Sequence, residues 1–203
     1  MKSRRLCATR LVIKFFGVDI PTMRLLETSR LRLRVCGRQD ANSVFAAEAD
    51  SIEELRRWFW WCHPAHSRER SAAWADSRED AWSRGEEFAF LIFERDSPRL
   101  TGCIWLNEIN LAALSANLGY WLRTGCGGQG FAAEAAGAVV NWAFRAGFER
   151  IEIVTAVGNL RSQRLCERLG ARAEGLAPGR LRVGSDVQDA RVYTLLRPVT
   201  MAD

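Results

Sequence analysis

A chain of 203 residues is long enough for one domain with a sizeable core, or at most two small ones. Hydrophobic residues at 48% and charged residues at 26% are ordinary for a soluble globular protein, and no apolar run reaches membrane-spanning length. The net charge of +5, carried mainly by arginine, suits acidic partners but is too diffuse to argue for nucleic acid.

Residues 1–22 look unlike the rest of the chain. Basic residues precede Leu11-Val12-Ile13, Lys14 interrupts, and no cleavage-like segment comes after, so a signal peptide is not expected. The stretch reads as an N-terminal extension, disordered or upstream of the true start, with a single domain over 23–203. Six cysteines (7, 36, 62, 103, 126, 166) show no C-x-x-C spacing and read as reduced thiols of a cytoplasmic protein, mostly core fillers.

Leu25 to Val35 alternates apolar residues with arginine from Leu31 on and reads as one half-buried strand. Gln39-Asp40 opens a helix, Asp40 serving as cap, with Val44, Phe45 and Ala49 inward. Five of the eight tryptophans lie within 51–84. Pro64 breaks that region, and Ser67 or Ser71 starts a helix running to Arg84. Phe88–Phe93 and Gly102–Ile109 read as strands joined by a turn at Asp96-Ser97-Pro98. A short polar connection, Asn107 to Ala116, leads to a strand at Leu118–Leu122.

Four glycines come next: Gly125, Gly127, Gly128 and Gly130. Apolar residues at Phe131, Ala135, Ala138, Val139, Trp142 and Ala143 then mark a helix, stopped at Gly147. Ile151–Val154 is the next strand. Asn159 begins a short helix ending at Gly170. Ala171–Leu176 and Arg191–Leu196 close the chain as strands, separated by a loop containing Pro178, Gly179 and Gly184.

The strand–glycine–helix junction forms a ready anion site, because a helix's first turn carries unpaired N–H groups and the positive end of its dipole. Three readings compete. A P-loop fails, since no Lys-Ser or Lys-Thr pair follows the glycines. Gly125-Cys126-Gly127-Gly128-Gln129-Gly130 is a literal dinucleotide fingerprint, but the next strand ends in Thr-Ala where a ribose-binding acid is needed. Too little chain remains for a doubly wound sheet. The third reading is an acyl-CoA site.

On that reading the chain resembles the GNAT acetyltransferase superfamily. Its pyrophosphate loop, Gln/Arg-x-x-Gly-x-Gly/Ala, lies on Gly127-Gly128-Gln129-Gly130-Phe131-Ala132, with Gly127 departing from the Arg or Gln of the family. The element order matches over about residues 23–197. Leu25-Glu27-Thr28-Arg30-Leu31, the tryptophan-rich Trp58-to-Pro64 stretch, and Asn159-Leu160-Arg161-Ser162 leading to Leu169-Gly170-Ala171 resemble the Rim-type branch, which acetylates ribosomal-protein N-termini. The fold this implies is α/β: a mixed, mostly antiparallel central sheet, helices on both faces, and a splayed pair of parallel strands.

The resemblance also implies acetyl-CoA as cosubstrate. Its pantetheine arm would pair with the backbone along Tyr120, Trp121 and Leu122, and Asn159 would hold it. Its pyrophosphate would rest on the amides of Gly127 to Ala132. A helix-end charge gains about 0.3–1 kcal/mol, so several amides acting together compensate for the side chain missing at Gly127. A backbone N–H near Leu118 to Tyr120 would stabilise the oxyanion, and Ser162 would protonate the leaving thiolate, with Tyr120 and Tyr193 as other hydroxyls. Trp58 and Trp61 would wall the acceptor pocket. One of the arginines at 161, 164, 168 and 172 would reach the CoA 3′-phosphate, the rest forming a solvated helix face.

A general base is harder to name. Relatives carry a Glu where this chain has Asn117, which is read as substrate-binding. Glu108 is the best remaining carboxylate, with Asp186 and Asp189 next. An α-amine, with a pKa of about 7.7–8.0, is partly neutral near pH 7, whereas a lysine at about 10.4 needs a strong base. The acceptor expected is therefore a protein N-terminal amine. A small amine (amino sugar, polyamine or amino acid) is the alternative acceptor, and a non-catalytic acyl-CoA-binding domain the alternative class. A homodimer is left open. Neither nucleic acid nor membrane is expected as a partner. No metal is expected, although Cys62, His63 and His66 lie close in sequence. Cys126 has no neighbouring base that would make it a nucleophile.

Overall fold

The structure, a computed structural model, describes residues 14–15, 18–19, 24–62, 66–183 and 186–198. Of the leader, only a two-residue antiparallel ladder of β1 (Lys14–Phe15) with β2 (Val18–Asp19) is described. The main sheet has eight strands. They are β3 (Leu25–Glu27), β4 (Leu31–Val35), β5 (Phe88–Glu94), β6 (Leu100–Asn110), β7 (Ser115–Leu122), β8 (Arg150–Ala156), β9 (Arg172–Val183) and β10 (Asp186–Leu196). Their spatial order is β3-β4-β5-β6-β7-β8-β10-β9, and β7–β8 is the parallel pair. The mixed, mostly antiparallel α/β sheet expected from the sequence is the one observed.

Two faces of β5 explain the layering. On one side Phe88, Phe90 and Ile92 join Ile104, Leu106 and Leu118 of the sheet, with Val139 and Trp142 of α4 (Phe131–Ala146). Leu91 and Phe93 point the other way, to Val44 and Ala47 of α1 (Ala41–Ala49) and Ala75 of α3 (Arg68–Ser83). A strand buried on both faces must read as an unbroken apolar run, and Phe88 to Phe93 does. Two shorter helices, α2 (Ile52–Leu55) and α5 (Leu160–Arg168), flank the site described below.

Four local expectations need correction. The expected strand 25–35 is a hairpin, because Thr28 to Arg30 turn the chain and Thr28 N–H donates to Leu31 O at 2.9 Å. Asp40 stands at the N-cap of α1 but its side chain caps none of that helix's amides; its carboxylate is taken by Arg34 at 2.6 Å and by the Gly37 amide at 3.0 Å. In α1 it is Ala47 and Glu48 that turn inward, while Ala49 is exposed. The loop expected around Pro178 and Gly179 is strand: β9 and β10 form one long hairpin at the sheet edge. Its two register shifts absorb the awkward residues. An edge strand tolerates proline because its outer N–H has no ladder partner to lose.

Candidate functional site

β7 and β8 part company. Their ladder consists of Ser115 with Arg150, Ala116 with Ile151, and Asn117 with Glu152, and stops there. Both strands continue, β7 to Leu122 and β8 to Ala156. Each stays paired on its outer side, β7 with β6 through Leu122 and β8 with β10 through Ala156. A fork is left whose facing backbone edges do not bond each other. Tyr120, Trp121 and Leu122 lie on one tine. Tyr120 and Leu122 pack toward α4, while Trp121 is buried in the cluster beneath α1 and α3 and its carbonyl is turned to Gly102 of β6, away from the fork.

The glycine turn closes one end of the fork. Gly128 and Gly130 both have φ +82°, a left-handed conformation costly for any residue with a Cβ. Gly130 precedes α4 and has no side chain to cap it, so the first amides of the helix, from Phe131 and Ala132 on, keep no side-chain acceptor. The space over Gly127 and Gly128 is open: a Cβ at either would meet nothing within 4 Å. Two guanidiniums border the turn, Arg30 at 3.4 Å and Arg168 at 4.0 Å from where a Gly130 Cβ would stand. Arg30 also donates to Gln129 O at 2.8 Å and lies over the Phe131 ring at 4.9 Å.

A bracket between distant segments fixes this loop. Glu134, in the first turn of α4, accepts from Thr28 Oγ1 at 2.5 Å, Arg30 N at 3.0 Å and Arg30 Nε at 2.7 Å. Burial works to raise its pKa, but the hydrogen bonds from Thr28 and Arg30 outweigh burial and hold it below the usual carboxylate range. Sequence reasoning misses the pairing of Arg30 with Glu134. Its only signals there are an arginine between two apolar stretches and an acid in the first turn of a helix.

At the other end, α5 brings Ser162 to Tyr120. Asn159 caps the helix, its Oδ1 accepting from Ser162 N at 3.1 Å, and so fixes the serine's backbone. The buried Ser162 hydroxyl is hydrogen-bonded with the Tyr120 phenol, whose pKa burial pushes up to about 12 while the serine works to lower it. A hydroxyl of one tine and one of the helix that follows the other tine therefore meet. Tyr193 is buried among core residues of β10.

The opposite face of the sheet carries the other expected residues. Trp58 lies 3.9 Å from a Gly158 Cβ position, beside a cleft of about 270 Å³ lined by Glu54, Arg57, Trp58 and 158–161. Arg161 pairs with Glu54 at 2.8 Å across its mouth. Trp61 packs on Phe59 at 5.2 Å, and Phe59 on Trp105 at 6.1 Å. The Trp105 ring covers Gly119, where a Cβ would stand 2.5 Å from it. Asn117 donates to Asn107 Oδ1 at 2.8 Å.

Glu108 is less available than expected. It has φ +49°, its side chain is 58% exposed, and Arg180 of β9 holds it at 3.0 Å. Asp189 accepts from the Gly179 amide at 2.8 Å. Glu152, in register with Asn117 and bonded by Arg150 at 2.9 Å, is a carboxylate at the fork that no sequence motif marks. His63 lies outside the described residues. His66 faces Glu48 and Ser71, and among the described residues no cluster has the makings of a metal site. No helix among them is long and apolar enough to cross a membrane.

A family model described as acetyltransferase (GNAT) domain matches residues 30–172. The chain belongs to the GNAT acetyltransferase family. This GNAT chain is 27% identical over 175 residues to the N-acetyltransferase YoaA of Bacillus subtilis, itself uncharacterized, covering 86% of this chain and 97% of that protein. In fold it matches RimL, the ribosomal L7/L12 alpha-N-protein acetyltransferase solved in complex with coenzyme A. The TM-score is 0.79 at 21% identity, over 85% of this chain and 97% of the other. Mycobacterium smegmatis RimJ, solved with a CoA-disulfide, gives 0.74 at 20% identity, over 82% and 81%. The chain is an N-acetyltransferase of GNAT type.

Proposed function

We propose that this enzyme transfers the acetyl group of acetyl-CoA to a primary amine, the acceptor being a protein N-terminal α-amine. The observation that carries this reading is the fork: two strands that diverge after Asn117 and Glu152, between a glycine turn and a pair of hydroxyls, one buried and one half-buried.

The residues fit acetyl-CoA along its length. The free edges of Tyr120 and Leu122 suit the two pantetheine amides as a missing strand would. The amides of Gly128 to Ala132 suit the pyrophosphate, with Gly127 leaving room and Gln129 holding Arg30 through its carbonyl. Arg30 and Arg168 supply the cationic border that Gly127 does not. Asn159 acts through Ser162, whose hydroxyl, with that of Tyr120, is placed to give the departing sulfur its proton.

On the acceptor side the walls are aromatic, Trp58, Trp61, Phe59 and Trp105, with Asn117 on the same face, and the one carboxylate lining the Trp58 cleft, Glu54, is paired with Arg161. Glu108, engaged by Arg180, serves as a rim contact, and water takes the amine's proton. Such a wall suits a single amine on an extended chain better than a polyamine, which calls for free carboxylates. RimL, which shares this fold, is by name an alpha-N-protein acetyltransferase of ribosomal L7/L12.

Thiol release from acetyl-CoA is to be compared for peptides with free N-termini and for N-terminally blocked peptides carrying lysine. Faster turnover of the free N-termini is expected. Preference for lysine or for small amines would refute the acceptor assignment, and tight cofactor binding without thiol release on any amine would refute catalysis.

A further inference from the structure

Asn117 occupies the last rung before the fork, and half of its amide is unsatisfied. Its Nδ2 donates to Asn107 Oδ1, while its own Oδ1 is buried with no hydrogen-bond partner among the described residues. Buried acceptors are almost always paired, so an orphan at the mouth of a substrate gap points to a donor that arrives with the substrate. Asn107, Asn117 and Glu152 are in register across three strands and share one face, the face of Trp105 and Trp121.

Among the described residues, the carboxylates carried by the neighbouring elements β6, β8, β10 and α2 are engaged. On β6, Glu108 is held by Arg180 of β9. On β8, Glu152 is held by Arg150, which also binds Glu174 of β9. On α2, Glu54 is held by Arg161 of α5, and Arg57 lines the same cleft. On β10, Asp189 accepts from the Gly179 amide, and Asp186 at the hairpin's end is also engaged.

We propose that Asn117, held by Asn107, aims the acceptor: its Oδ1 accepts an N–H of an amine that arrives already neutral, and no carboxylate of the enzyme removes the ammonium proton. This rests on the N-acetyltransferase reading above. An amide oxygen accepts a hydrogen bond but takes up no proton at ordinary pH. It therefore orients the lone pair toward the acetyl carbonyl carbon. The C–N bond forms and the C–S bond breaks; nitrogen sheds one proton to water, sulfur takes one from the hydroxyl pair, and the pair recovers its proton from the water that received the first. One N–H is exchanged for one S–H, with no further reagent.

The test is the pH dependence of kcat/KM for two peptides that differ only in starting with an α-amino acid or with β-alanine, whose amine is more basic. Each profile is expected to rise along its own amine's titration, so the two midpoints differ as the free amines do. Glu152→Gln is expected to leave each midpoint in place. Asn117→Leu is expected to lower kcat/KM for the acceptor roughly tenfold, with KM for acetyl-CoA and the midpoint unchanged. Asn117→Asp, nearly isosteric and so a safeguard against misfolding, is expected to add a lower midpoint common to both peptides. One midpoint shared by both peptides in the wild type would overturn the proposal. So would a midpoint lost in Glu152→Gln, or wild-type rates in both Asn117 variants. If only small amines are acetylated, the acceptor assignment fails, and the same comparison between two small amines of different basicity still decides this one. No turnover with any amine overturns both.

Discussion

Replacing Glu134 by alanine tests whether the cofactor loop is held from outside. The carboxylate anchors Thr28, Ser29 and Arg30 to the first turn of α4, and Arg30 in turn holds the Gln129 carbonyl. Removing it strands one guanidinium and one hydroxyl and frees the turn before Gly130. Charge-assisted hydrogen bonds contribute about 1.5–3 kcal/mol each. The Arg30 side chain is 49% exposed, however, and solvent screens its share. The net loss expected is about 2 kcal/mol, or roughly 4–8 °C in Tm for a chain of this length. Because the folded pKa of Glu134 is depressed, this contribution is fully present above the ordinary carboxylate value. It fades as pH falls through the lower folded value. Urea melts of wild type and Glu134→Ala at pH 7 should therefore differ, and the gap should narrow below about pH 4. KM for acetyl-CoA should rise while kcat, measured at saturation, changes little. A gap under about 0.5 kcal/mol at pH 7 would refute the reasoning, since that is the range of a bland surface substitution. So would an unchanged KM.

Gly102→Ala should destabilise more than Gly119→Ala. The new Cβ at 102 stands 2.3 Å from the Trp121 carbonyl, which is backbone, whereas at 119 it meets the movable Trp105 ring. Overpacking of this kind costs about 1–3 kcal/mol, and paired urea melts would rank the two. Ser162→Ala and Tyr120→Phe should each lower kcat with KM for acetyl-CoA nearly unchanged, which single-turnover kinetics can check; a change confined to KM would assign the hydroxyls to binding. Glu48 is buried beside Ser71 and His66, and burial pushes its pKa up to about 7. The native state then holds a proton that the unfolded chain releases above about pH 4.5, so stability falls as pH rises from there to about 7. His66, lowered by burial, gives the opposite slope below its ordinary value near 6.5. Glu48→Gln should remove the first slope and gain on the order of 3 kcal/mol at pH 8, which melts across pH 5–8 would show.

The parts of this fold written in local chemistry are legible in the sequence. The apolar run before the glycines, the helix stop at Gly147 and the Asn159 cap each depend on neighbours a few residues away. The hairpin at Thr28 to Arg30 is hidden because its turn carries no glycine or proline and continues the polar–apolar beat of the strand after it. Pro178 and Gly179 mislead in the opposite direction: both are turn signals, yet at a sheet edge with a shifted register they fit a strand. In the site, motifs name individual residues but not their partners. Arg30 and Glu134 are 104 residues apart, and Ser162 meets Tyr120 only after the sheet is assembled. Asn107 and Asn117 face each other through strand register, which alternation alone does not fix.

Register also accounts for the fork. β8 is bonded to β10 over its whole length, from Arg150 to Ala156, and β7 to β6 as far as Leu122 with Gly102. Both tines are thus rigid on their outer sides, and neither needs the other for its place in the sheet. Beyond Asn117 and Glu152 they lead to different destinations: β7 to the glycine turn and α4, β8 to Asn159 and α5. Closing the gap would pair the facing amides and carbonyls, each worth about 0.5–1.5 kcal/mol net, but it would drive Tyr120 and the start of α5 together where two hydroxyls already meet. The sheet therefore leaves unmade on its inner edges the bonds that an extended amide-bearing ligand can make. The cost of holding that edge open is carried by the two ladders outside it.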